Sequence, residues 1–153
     1  MQKRKIVENV FWMGAQDWDR RLFDSLIPLP DGTSYNAYLV RGSDKTALLD
    51  TVEPIMVDKL MAQLKDVEKI DYIVSHHAEQ DHSGSIPQVL AKYPEARVLV
   101  TPKAKGMLMD LLDLPEEARA GSVCPRVFRR AAAGRGIEEE DVLVSGGKGL
   151  RRP

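Results

Sequence analysis

The chain has one cysteine and three histidines in 153 residues. A lone thiol, Cys124, excludes an internal disulfide and fits a reducing compartment. It has no base near it in sequence, so it gains no catalytic role. Charge of one sign is also missing. Twenty-two basic residues against 23 acidic ones leave a formal net charge of −1, which gives no reason to expect nucleic acid or an anionic membrane as a partner. No apolar run approaches the length of a membrane span. The basic opening Met-Gln-Lys-Arg-Lys leads into Ile-Val-Glu-Asn-Val rather than an apolar signal stretch, so the expected location is the cytoplasm. What remains, 43% hydrophobic and 29% charged, suits one soluble domain able to bury a core.

The few histidines are concentrated. Between Ser75 and Ser85 the chain reads Ser-His-His-Ala-Glu-Gln-Asp-His-Ser-Gly-Ser, which places His77, Glu79, Asp81 and His82 within six residues. In an extended segment His77 and Glu79, two apart, point the same way and can grip one cation, while Asp81 and His82 can reach a second. Imidazole and carboxylate donors without thiolate favour iron, manganese or zinc. The bland alternative is a solvated polar loop. His76, outside this spacing, is expected to pack or to steady a ligand from behind. Asp50 is expected to hydrogen-bond a neighbouring loop rather than bind metal. Ser83 and Gly84 should shape the turn after the ligands, with Gly84 giving backbone clearance. Tyr35 and Asn36 either line the approach or pack. Trp12 and Trp18 are read as core or interface residues, and Met107 and Met109 as core fillers.

Element signals alternate along the chain. Residues 7–14, 34–41 and 46–50 read as strands, with turns at Gly32-Thr33 and Gly42-Ser43-Asp44. A helix fits 57–67, with Leu60, Met61 and Leu64 on one face and Pro54 near its start. Residues 70–75 read as a buried strand running into the ligand segment, and 86–93 as the helix after it. Residues 97–101 form a further strand. A helix over 102–114 carries Met107, Leu108, Leu111 and Leu112 on its apolar side. The class is therefore α/β, with the ligands at a strand's carboxyl end. Beyond about Pro115 the composition changes. The remainder holds seven of the twelve arginines and six of the eleven glycines, and only Asp141-Val-Leu-Val offers a further short strand. The organisation predicted is a folded part over 1–115 and a divergent, flexible tail over 116–153.

With these residues in view, the chain through about Leu114 resembles the flavodiiron proteins, whose amino-terminal half has the metallo-β-lactamase fold. The resemblance rests on Asn9-Val-Phe-Trp-Met-Gly-Ala, Asp17-Trp-Asp, Gly32-Thr-Ser-Tyr-Asn-Ala-Tyr-Leu-Val, Leu48-Leu-Asp-Thr and, most specifically, His77-Ala-Glu-Gln-Asp-His-Ser-Gly-Ser. Hydrolytic members of that fold typically show His-x-His-x-Asp-His, and Glu79 stands where they carry the second histidine. A carboxylate there adds negative charge and a harder donor, moving preference from zinc toward iron.

The resemblance implies a partial αββα sandwich, roughly its first sheet with the helices that cover it. It further implies that His77 and Glu79 bind one iron while Asp81 and His82 bind or adjoin the other. The implied reaction is reduction of dioxygen to water, of nitric oxide to nitrous oxide, or both. Electrons would come from FMN in a flavodoxin-like domain, fed by a donor such as rubredoxin or a flavin-linked protein, in a homodimer. The family completes its site with further histidines and a bridging aspartate. No histidine follows His82 here, and no residue is assigned to the flavin. A truncated or frame-shifted reading of a longer gene is therefore expected, with weak metal binding by the chain alone. The alternatives are a zinc-dependent hydrolase of the same fold and a non-catalytic fragment.

Overall fold

The computed structural model describes residues 3–112, 114, 121–123 and 142–143. Cys124 and most of the expected tail lie outside the described residues. Among the described residues the framework is an eight-stranded mixed sheet, in the order β1-β2-β7-β8-β9-β10-β11-β12. An antiparallel block comes first: β1 (Arg4–Val7), β2 (Val10–Trp12), β7 (Tyr38–Arg41) and β8 (Thr46–Leu49). From β8 the sheet continues parallel through β9 (Tyr72–Val74), β10 (Arg97–Val100) and β11 (Gly121–Val123). β12 (Val142–Leu143) closes it antiparallel. Two small antiparallel pairs stand apart, β3 (Ala15–Asp17) with β6 (Thr33–Tyr35), and β4 (Leu22–Phe23) with β5 (Ile27–Pro28).

β9 and most of β10 are buried on both faces, as helix-connected strands must be. Leu48, Ile73, Val98 and Val100 join one cluster with Leu60, Ile86, Val89 and Leu108 from the helices α1 (Val57–Gln63), α3 (Ile86–Lys92) and α4 (Pro102–Leu111). Tyr72, Val74 and Leu99 form a second cluster on the opposite face, with Ala47 and Leu49 packed against it. The alternation along each strand is the period-2 pattern that defines a two-sided core.

Several boundaries differ from the sequence expectation for identifiable reasons. The strand expected over 7–14 is a hairpin, because Asn9 takes a left-handed φ of 61° and turns the chain so that Val7 faces Val10. The strand expected over 34–41 is split between two sheets after Tyr35. α1 ends at Gln63 instead of continuing to Val67: the chain tightens into i→i+3 bonds, Lys65 amide to Ala62 carbonyl at 3.4 Å and Val67 amide to Leu64 carbonyl at 3.1 Å, and Lys92 Nζ at 2.6 Å and Tyr93 Oη at 3.0 Å donate to the same Leu64 carbonyl. A single 3-10 turn, Pro54–Met56, precedes it.

α4 is capped by the Thr101 hydroxyl, which accepts from the Ala104 amide at 3.2 Å, and ends before Leu112, whose backbone is extended. Met107 and Met109 are corrections to the expectation: both are exposed, as is Leu111, and only Ala104 and Leu108 of that helix are buried. The expected strand near Val142 is present, and Gly121–Val123 adds one that periodicity did not signal. Among the described residues, no helix is long and apolar enough to cross a membrane.

Candidate metal centre

The carboxyl ends of β8 and β9 lie side by side, with Leu49 opposite Val74, and the chain leaves both at the same edge. Such an edge of a parallel sheet is where α/β proteins build sites. Asp50 leaves β8 there with a left-handed φ of 56°, a conformation aspartate tolerates better than most residues. Its amide donates to the Val74 carbonyl at 2.7 Å, which turns its side chain toward the segment following β9. His77 and Glu79 lie in the open stretch of that segment. Asp81 and His82 lie on a helical turn, α2 (Gln80–Ser83), within what was expected to be a loop. Gly84 then ends the turn. A Cβ there would meet Gln80 O and Pro54 Cδ, each at 2.6 Å, so glycine supplies the clearance anticipated from the sequence.

The four predicted residues stand as two pairs. His77 Nδ1 stands 3.6 Å from Glu79 Oε2, His82 Nε2 stands 3.3 Å from Asp81 Oδ2, and the two imidazole centroids are 4.0 Å apart. His77 Nδ1 is buried at the atom itself and has no hydrogen-bond partner, because 3.6 Å exceeds hydrogen-bonding reach. A buried nitrogen facing a carboxylate without bonding to it fits a metal ligand better than a structural imidazole. Two donors held at about 2.0–2.2 Å from one cation stand roughly 3.0–3.5 Å apart, close to the separation of both pairs. Among the described residues no three His, Cys, Asp or Glu side chains converge as a metal site. Each pair therefore offers two ligands.

Asp50 is the residue whose importance spacing alone understated. Its Oδ1 accepts from the His76 amide at 2.8 Å, and its Oδ2 accepts from His76 Nδ1 at 2.8 Å and from His82 Nδ1 at 3.1 Å. Burial alone would push its carboxyl up, yet the His76 ring and amide, the charge on His76 and the His82 ring together hold it below the ordinary aspartate value. The same hydrogen bond holds the His76 imidazole above its ordinary value against desolvation. Carboxylate oxygens only accept, so a proton on Nδ1 makes the bond to Asp50, and Nε2 is the ring nitrogen that faces Asp81. A histidine steadied this way by a carboxylate is the usual preparation for metal binding through the other nitrogen. His76 thus takes the steadying role expected of it, and Asp50 the loop-bonding one. The signal available was Leu48-Leu-Asp-Thr, an aspartate at a strand's carboxyl end.

An open cavity of about 400 Å³ adjoins Glu79 and Asp81, with Arg20, Glu53, Phe23, Met107 and Leu111 on its other walls. Arg20 is fixed by Glu53 Oε2 at 3.2 Å, Tyr35 Oη at 3.2 Å and the Leu22 carbonyl at 3.1 Å. Tyr35 is buried and donates to Asp17 Oδ2 at 3.1 Å. Burial pushes its phenol up to about 12, with Asp17 adding to the shift and Arg20 opposing it, so it stays neutral. Asn36 accepts from Trp12 Nε1 at 3.0 Å. Tyr35 therefore packs behind Arg20, Asn36 is exposed, and neither lines the cavity. Trp18 is exposed.

A family model described as the metallo-beta-lactamase superfamily matches residues 30–152. Among curated relatives, the chain is 38% identical over 120 residues to a coenzyme F420H(2) oxidase of Methanothermobacter marburgensis, covering 74% of this chain and 29% of that protein. It is 42% identical over 103 residues to a nitric oxide reductase of Moorella thermoacetica, covering 65% of this chain and 26% of that one. The chain thus spans less than a third of the length of these relatives. Among solved structures, the flavodiiron protein of Giardia intestinalis superposes with a TM-score of 0.75 at 26% identity, over 82% of this chain and 31% of that one. The rubredoxin oxygen:oxidoreductase of Desulfovibrio gigas gives 0.73 at 30% identity, over 80% and 31%. A subclass B3 metallo-beta-lactamase of Bradyrhizobium japonicum gives 0.52 at 17% identity, over 71% and 36%, and shares the fold alone.

Proposed function

Because this chain belongs to the metallo-β-lactamase superfamily, we propose that it is the amino-terminal part of a flavodiiron-type oxidoreductase that reduces dioxygen to water, nitric oxide to nitrous oxide, or both. The observation that carries this reading is Glu79, a carboxylate facing the unpartnered Nδ1 of His77. In the hydrolytic pattern of this fold a second histidine stands at that position.

His77 and Glu79 would hold one iron, and Asp81 and His82 the other. Iron held there supplies the change of oxidation state and the open positions that reduction of a diatomic molecule needs. The rest is the work of this chain's residues. Asp50 keeps the His82 ring turned so that Nε2 faces Asp81. Glu79 and Asp81 supply negative charge that suits a hard, oxidisable cation. Phe23, Met107 and Leu111 make one cavity wall apolar, giving an uncharged diatomic an approach that does not compete for hydrogen bonds. The exposure of Met107 and Leu111 follows from this, since a helix face that lines a cavity has the same period as one that lines a core. The remaining iron ligands, the FMN, the rubredoxin-like or flavin-linked donor and the homodimer are assigned to parts beyond these residues.

Elemental analysis of the chain purified anaerobically with ferrous iron, alongside its molar mass in solution, tests the reading. About two irons per chain, lost on combining H77A with D81A, supports it. Bound zinc with hydrolysis of esters or lactams overturns it in favour of a hydrolase. No bound metal of either kind makes this polypeptide a non-catalytic fragment.

A further inference from the structure

Three fully buried hydroxyls brace the segment that carries the candidate ligands: Thr51, Ser83 and Ser85. The Ser83 hydroxyl lies 3.0 Å from the Ala78 carbonyl and 3.1 Å from that of Glu79, closing the turn on itself. Ser85 donates to the Val52 carbonyl at 2.7 Å. Thr51 reaches further. Its amide and its hydroxyl both donate to one acceptor, the His82 carbonyl oxygen, each at 2.7 Å. The same hydroxyl accepts from the Ser85 amide at 3.3 Å. In a longer helix the His82 carbonyl would bond an amide one turn on. α2 ends at Ser83 and leaves it without that partner.

Thr51 directly follows Asp50, whose carboxylate holds the His82 ring. Two consecutive residues at the end of β8 therefore grip His82 at both ends, the main chain through Thr51 and the ring through Asp50. With its carbonyl fixed, the imidazole keeps only its two side-chain torsions, and the bond to Asp50 fixes those. If the His82 backbone drifts by a few tenths of an ångström, the Nδ1 contact, already 3.1 Å long, passes out of hydrogen-bonding range.

We infer that Thr51 is a positioning residue for the metal centre, holding the His82 backbone where Asp50 can lock the ring with Nε2 presented beside Asp81. The metal-binding consequence rests on the function proposed above. The orientation of the ring does not, so the two can fail separately.

The test uses the full chain in four forms: wild type, T51V, T51S and I70V. T51V keeps the side chain's shape and the amide bond to His82 but removes the hydroxyl. T51S restores the hydroxyl. I70V loosens the core at the opposite end of β9, where Ile70 is fully buried, and controls for lost stability. In metal-free protein, nitrogen NMR of the His82 ring is expected to show an exchange-protected proton on Nδ1 in wild type, T51S and I70V, and to lose it in T51V. Titration with cobalt(II) alone is expected to show affinity weakened about tenfold or more in T51V and changed less than about twofold in T51S.

A wild-type ring spectrum in T51V overturns the inference. So does the same spectral change in I70V, or a failure of T51S to rescue. If T51V alters the ring while even the wild type takes no cobalt, the clamp stands and the metal reading falls. Cobalt bound equally by wild type and T51V leaves the metal reading and overturns the role of Thr51 in metal binding.

Discussion

The two ends of the central parallel strands each carry a buried aspartate, and the contrast between them shows what separates a site from a staple. Asp50, at the carboxyl end of β8, is 7% exposed, and Asp71, at the amino end of β9, is 8% exposed. In both, burial would raise the carboxyl pKa, and hydrogen bonds with nearby positive charge hold it below the ordinary value instead. Their partners differ. Asp71 receives the Thr46 amide at 2.9 Å, Lys69 Nζ at 2.7 Å and Lys45 Nζ at 3.5 Å, donors that tie adjacent strand ends together. Asp50 receives two imidazoles, and one of them, His82, turns its other nitrogen toward Asp81 at 3.3 Å. A depressed carboxyl pKa therefore does not identify chemistry. What identifies it is where the partner's other polar atom points, and Nε2 of His82 points at a second candidate ligand.

The strongest way to break this comparison is D50A. It removes the acceptor for the His76 amide and both rings, and is expected to destabilise the fold by about 2–4 kcal/mol and to weaken cobalt(II) binding 10- to 100-fold, read by urea unfolding and metal titration. The crowding at the two ends can be set side by side with G84A and G42A. The first forces a Cβ to 2.6 Å from Gln80 O and Pro54 Cδ, and the second only to 3.0 Å from Lys45 O. Thermal unfolding should show a loss of about 1–3 kcal/mol for G84A and a clearly smaller one for G42A.

D71N probes the staple. The folded-state pKa of Asp71 lies below its ordinary 3.8, so its contribution is complete above that value and disappears as pH falls through the folded-state pKa. At neutral pH the variant should lose less than about 1 kcal/mol, since both lysines are largely exposed. The gap to wild type should close on acidification, and a gap that widened would contradict the assignment. H77A comes last. With no hydrogen bond at Nδ1 to lose, its stability should stay within about 0.5 kcal/mol of wild type while metal held by the His77 and Glu79 pair is released. A large fall in melting temperature reversed by added iron would show that this ligand set is already complete.

Much of this was legible from residue order, and the failures have a common cause. The alternation of strands and helices and the two-sided burial of residues 70–75 come from local pattern and the structure keeps both, while His77, Glu79, Asp81 and His82, adjacent in sequence, stand as two pairs. Asp50 and Thr51 act on residues that lie 26 to 34 positions further along the chain, and that proximity exists only because β8 and β9 are parallel neighbours. Pattern also cannot tell what a helix face meets. Met107 and Leu108 adjoin on α4, but Leu108 enters the core while Met107 borders the cavity. The turn at Asn9 escaped because one residue's backbone reversed a run that otherwise looked like continuous strand.

The left-handed backbone of Asp50 has a consequence for how this position tolerates change. Two independent filters act on it. The main chain admits mainly glycine, asparagine and aspartate at little expense, and the imidazole partners admit mainly a carboxylate. Glutamate passes the second filter and fails the first, glycine passes the first and fails the second, and asparagine keeps the shape while offering one accepting oxygen where aspartate offers two. A saturation library at position 50 should therefore collapse onto its parent residue, whereas position 71, whose backbone is not left-handed and whose charged partners reach solvent, should accept a broad range of polar substitutes.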